Sequence, residues 1–224
     1  MVAVVGAAIA GFFSASLVPW RVIPPPAHSR IRAEPREARA NHDLIAGLPV
    51  PGAGVPSDPR AVMDEATLLA DRLVLVFPTL PDALEVRARL LDWLGKSKQA
   101  VECWEQCLQL DPDYAFAYFG IGSVAAQEED YRKAEQSLRQ AVKLSPGDFL
   151  ARAALATALV NLNQPKEVIA VLEKPLQTDP RSEGFYLLGQ AYVQLQQMEK
   201  ARDSFESAIR VFPEFADAYY RLST

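Results

Sequence analysis

Five prolines recur on a fixed beat, Pro78, Pro112, Pro146, Pro180 and Pro213, at intervals of 34, 34, 34 and 33 residues. Each closes a similar stretch: LVLVFP, CLQLDP, AVKLSP, PLQTDP and AIRVFP. Proline lacks a backbone N–H and clashes with the preceding turn, so each one ends a helix. A period in this range signals supersecondary units that cannot bury their apolar faces alone and stack on their neighbours. That single feature confines the chain to an elongated repeat array.

With each proline set at position 32, the units start at 81, 115, 149 and 182, with a partial fifth at 216. Unit two places Tyr118, Ile121, Gly122 and Ala125 on one face of a first helix, and Ala134, Leu138 and Ala141 on one face of a second. Unit four repeats this with Phe185, Leu188, Gly189 and Tyr192, then Ala201, Phe205 and Ala208. Spacings of three, four and seven put such residues on one helical face. The small residues Ala88, Gly122, Ala156 and Gly189 let paired helices approach closely.

Units one and three are looser. Arg87 stands among Leu84, Ala88 and Leu91, which predicts a less complete packing of the first helix. In unit three, Arg152 takes an aromatic position, Pro165 opens the second helix and Pro175 lies inside it, which predicts a bend near Lys174. Residues 59–78 fit only the second helix of a hairpin and read as an N-terminal half-repeat that caps the stack.

The pattern resembles the tetratricopeptide repeat family, W-x2-L-G-x2-Y followed by A-x3-F, A and P. The resemblance covers about residues 81–224. It implies an all-α, right-handed solenoid of stacked helical hairpins with no catalytic site. It also implies a concave groove lined by positions 2, 5, 9, 12 and 13 of each unit. Those positions hold Glu85, Arg89, Asp92 and Trp93 in unit one, and Phe116, Phe119, Ser123, Ala126 and Gln127 in unit two. Unit three supplies Leu150, Ala153, Thr157, Val160 and Asn161; unit four supplies Glu183, Tyr186, Gln190, Val193 and Gln194. The candidate partner-binding residues are Arg89, Trp93, Phe116, Phe119, Ser123, Gln127, Asn161, Tyr186, Gln190 and Gln194. Rigid aromatics among Gln and Asn suit a peptide from another protein. The alternative is that Phe116 and Phe119 are covered from within the chain. The Lys/Asn/Asn/Lys/Arg set with which some family members grip a C-terminal carboxylate is absent.

Ahead of the repeats, residues 2–20 form a run of 19 without a charge, followed by Arg21. As a helix it would span roughly 28 Å, close to the hydrocarbon thickness of a bilayer. The reading is a single-pass N-terminal membrane anchor, with a secretory signal peptide as the alternative. Residues 21–58 are a proline-rich linker, since residues 21–60 hold eight prolines. Residues 216–224 read as the opening of a fifth unit, with Tyr219 and Leu222 on its apolar face. The chain therefore reads as part of a longer array, with self-association through this end as a further possibility.

Little chemistry is on offer. Both histidines, His28 and His42, precede the repeats, and Cys103 and Cys107 lie one turn apart on a helix face. Cys107 takes the place of a small apolar residue, so neither cysteine implies a metal or cofactor. The net charge of −5 carries no clustered basic stripe, which argues against nucleic acid as a partner. The function expected is a membrane-tethered protein-interaction scaffold or assembly factor. The alternative is a regulatory or docking arm of a larger enzyme or multidomain protein.

Overall fold

The computed structural model describes residues 59–223. The anchor and linker readings lie outside those residues. Among the described residues there are ten helices and no strand. They are α1 (Pro59–Val76), α2 (Pro81–Trp93), α3 (Ser97–Leu110), α4 (Ala115–Gln127) and α5 (Tyr131–Leu144). There follow α6 (Phe149–Asn161), α7 (Pro165–Thr178), α8 (Ser182–Gln194), α9 (Met198–Val211) and α10 (Ala216–Ser223). No described helix is long and apolar enough to cross a membrane.

The helices pair as α2–α3, α4–α5, α6–α7 and α8–α9, and each hairpin packs on the next. The first helices α2, α4, α6 and α8 also touch one another in order, so they form one layer along the stack. Helix α1 packs on α2. The core runs through both layers: Leu138, Leu155, Leu159, Val168 and Leu172 are fully buried.

The expected small residues mark the closest approaches. A Cβ on Gly122 would lie 2.6 Å from Leu138, and one on Gly189 would lie 2.4 Å from Phe205. Two further glycines act the same way between units. A Cβ on Gly120 would meet the Trp104 indole at 2.3 Å, and one on Gly184 would meet Leu176 at 2.7 Å. Large side chains of one hairpin thus seat against bare backbone of the next.

Arg87 corrects an expectation, because the first helix of unit one packs fully around it. Ala83 and Ala88 have no exposed surface, and Leu84 and Leu91 are buried. The Arg87 Nε lies 2.8 Å from the Asp71 carboxylate on α1. Its stem packs along the surface while its charge is met by the capping helix. Pro175 sits in α7 without ending it: the helix runs on to Thr178, and the Asp179 N–H donates to the Pro175 carbonyl at 2.9 Å.

The turn inside each hairpin uses a left-handed residue at one register position. These are Gly95, Glu129, Asn163 and Gln196, with φ of 73°, 62°, 56° and 60°. The run Glu128-Glu129-Asp130 thus builds a turn, and Asp130 caps α5 by accepting from the Lys133 N–H at 3.1 Å. Left-handed backbone strains a side chain such as Gln. Replacing Gln196 with Gly is expected to raise stability by about 0.5–1 kcal/mol. Urea unfolding reads this as a higher midpoint, and an unchanged or lower midpoint would contradict the account.

Candidate protein-interaction face

Four first helices lie side by side, so residues one repeat apart form rows across them. The second-position row begins Asp82, Phe116, Leu150, Glu183, and the fifth begins Glu85, Phe119, Ala153, Tyr186. The thirteenth is Trp93, Gln127, Asn161, Gln194. Alignment of the rows is visible in hydrogen bonds: the Gln194 Nε2 donates to the Val160 carbonyl at 2.9 Å, one unit away.

The candidate residues separate by how far the fold already uses them. Arg89, Trp93, Gln127, Asn161 and Gln194 are exposed, Trp93 by 57 %. Phe116, Phe119, Ser123, Tyr186 and Gln190 are half-buried. Phe119 packs against the main core, whereas the Phe116 ring lies 6.2 Å from that of Tyr114. Tyr186 is held most firmly, with Phe205 at 5.7 Å and Phe215 edge-on at 5.4 Å. Arg221 of α10 lies close to its hydroxyl. The Asn161 amide donates to the Thr157 carbonyl at 2.9 Å.

Leu150 and Val193 join this face as exposed apolar residues, at 38 % and 41 %. Their positions were legible in the register, but a lone Leu or Val gives no signal of its own exposure.

The α2 end is acidic. Asp82 accepts a hydrogen bond from the hydroxyl of Tyr114, the residue just before α4, at 2.6 Å, a contact that sequence spacing does not reveal. Glu85 is buried beside them, and its carboxylate meets Arg89 at 3.3 Å. Burial raises the Glu85 pKa despite Arg89, whereas Glu183 at the other end of the row is exposed. Desolvation disfavours the charged carboxylate of Glu85.

The cysteines are structural. Both are buried and free, and the Cys107 thiol lies 3.4 Å from the Pro81 carbonyl as a donor. Burial pushes the Cys107 thiol up to about 12, far from a reactive thiolate. Among the described residues no group of three His, Cys, Asp or Glu side chains is placed to hold a metal.

Comparison with known proteins agrees with this architecture. Three tetratricopeptide repeat family models match residues 85–149, 125–190 and 182–215. The Caenorhabditis elegans cell division cycle protein 27 homolog is 34 % identical over 84 residues, 37 % of this chain and 10 % of that protein. The peroxisomal targeting signal receptor of Komagataella phaffii is 29 % identical over 98 residues, 44 % of this chain and 17 % of the receptor. The matched segment is thus a small part of either relative. Among solved structures, YrrB, described as a TPR protein with an unusual peptide-binding site, superposes with a TM-score of 0.64 at 20 % identity. That match covers 74 % of this chain and 86 % of YrrB. MamA from Desulfovibrio magneticus RS-1 gives 0.59 at 22 % identity, over 63 % and 81 %. At such identities the likeness is one of fold.

Proposed function

This chain carries tetratricopeptide repeats over residues 85–215, and from that premise we propose that it is a non-catalytic, membrane-tethered scaffold that binds a partner peptide on its first-helix face. Repeats of this family mediate protein–protein interaction, and YrrB is a solved member with a peptide-binding site. One observation carries the reading here. Trp93, Leu150, Val193 and the amides Gln127, Asn161 and Gln194 stay exposed, and Phe116, Phe119 and Tyr186 half-exposed, in aligned rows on four successive first helices. Rigid aromatics among amides supply contact area at small entropic cost.

Combining Phe116→Ala, Phe119→Ala and Tyr186→Ala is expected to abolish capture of the partners that the unaltered chain retains, with helicity by circular dichroism preserved. Retention of every partner by the folded variant would sink the groove assignment. The tether rests on the uncharged run at 2–20. It predicts that full-length protein stays with membranes after alkaline carbonate washing. Recovery of a shortened soluble chain would establish the signal-peptide alternative.

The docking-arm alternative draws on relatives far longer than the matched segment. A catalytic activity in a longer gene product would favour it. Self-association would run through α10, where Tyr219 is 51 % exposed. A monomer mass independent of concentration in light scattering would end that idea.

A further inference from the structure

The chemistry of the first-helix face changes in step along two neighbouring rows. In the second-position row, acidic Asp82 gives way to Phe116 and Leu150, then to acidic Glu183. In the fifth-position row, acidic Glu85 likewise gives way to Phe119. Two carboxylates therefore mark the α2 end, an apolar strip crosses α4 and α6, and a carboxylate marks α8.

The arginines of these helices leave much of that charge unmet. Arg87 is drawn to Asp71 on α1, and the Arg152 guanidinium donates to the Pro146 carbonyl. Arg89 answers Glu85 alone, at 3.3 Å. Asp82 is satisfied by a neutral hydroxyl, which leaves its charge in place. Glu183 is exposed and has no ion-pair partner among the described residues. A cation brought to either end would find a carboxylate with no cation facing it.

We propose that the occupant of this face is an extended peptide with a Lys or Arg at each end of a short apolar run. The cations meet Asp82 at one end and Glu183 at the other, and the apolar side chains meet Phe116, Phe119 and Leu150. This deepens the groove reading and rests on it. Three steps between packed helices, at about 8–10 Å each, separate the two acidic ends. Extended chain advances about 3.3 Å per residue, so the two cations stand roughly eight or nine residues apart.

The test is isothermal titration of the full chain with three nine-residue peptides, acetylated and amidated at their ends. One carries lysine at both ends of a Val/Leu/Ala run; the others carry glutamine or glutamate in place of the lysines. At about 20 mM salt the lysine peptide is expected to bind about 5–10-fold tighter than the glutamine peptide, and the glutamate peptide weaker still. The advantage shrinks at about 300 mM salt, where screening is strong. The double variant Asp82→Asn, Glu183→Gln brings the lysine peptide to the affinity of the glutamine peptide. Phe116→Ala, by contrast, weakens all three. Equal binding of the three peptides by the unaltered chain, with Phe116→Ala still weakening each, overturns the basic-peptide assignment and leaves the groove standing. Binding of none overturns the basic-peptide assignment, and loss or retention of partners in the triple alanine variant then decides the groove.

Discussion

Trp104→Ala is expected to lower stability by about 3–5 kcal/mol, the range for removing a buried large aromatic. The indole is 3 % exposed on α3 and lies flat against the backbone of α4 at Gly120. The α4 residue facing the ring is a glycine, which has no side chain to fill the space. The cavity therefore stays open, which places the loss toward the upper part of the range. The same contact makes Gly120→Leu damaging on its own, since a Cβ there would sit 2.3 Å from the ring. Combining the two should recover stability relative to the sum of the single losses, because the leucine enters the vacated space. Urea denaturation of the four proteins closes this cycle. Additive losses would show that Trp104 and Gly120 are not packed as described.

Phe205→Ala carries the second large effect, again about 3–5 kcal/mol. Its ring is buried on α9 against bare backbone at Gly189, and it also contacts Tyr186 at 5.7 Å. This residue ties the core of unit four to the interaction face. Its loss should loosen the last hairpin and free Tyr186 together, while units one and two keep their packing. In a stack held by nearest-neighbour contacts, such a defect yields an earlier, partial unfolding transition instead of a uniform shift. Hydrogen exchange should accelerate in α8 to α10 and stay slow in α4 and α5. A single cooperative transition with uniform acceleration would contradict this local account.

Both predictions turn on glycines whose roles were unequally legible. Gly122 and Gly189 occupy the small position of the repeat, so periodicity alone marked them as close-approach sites. Gly120 and Gly184 serve packing between hairpins, and that contact depends on the rotation of one unit against the next. Arg87 shows the same boundary. Its charge on an apolar face predicted poor packing, yet Asp71 on the capping helix supplies its partner and the face closes around it. The identity of that partner lay sixteen residues upstream, in a helix whose seating on α2 no local pattern specifies.

The interaction face divides in the same way. Register alone put Phe116, Phe119, Gln190 and Gln194 on first helices and in line with one another. It did not separate Tyr186, clamped by Phe205, Phe215 and Arg221, from the more open Phe116, because those clamps come from other elements. Nor did it single out Asp82, whose bond to Tyr114 spans 32 residues.

The 34-residue beat determined by itself that the described chain is a stack of helical hairpins, where each second helix ends and which face it buries. Helical period and proline sterics act within one turn of the chain, so they can be read without coordinates. The rotation of each hairpin on its neighbour was decided by tertiary packing. That rotation chose Gly120 to receive Trp104, Asp71 to meet Arg87 and Asp82 to meet Tyr114. It also left two acidic ends around an apolar strip, because only stacking brings residues a full repeat apart onto one surface.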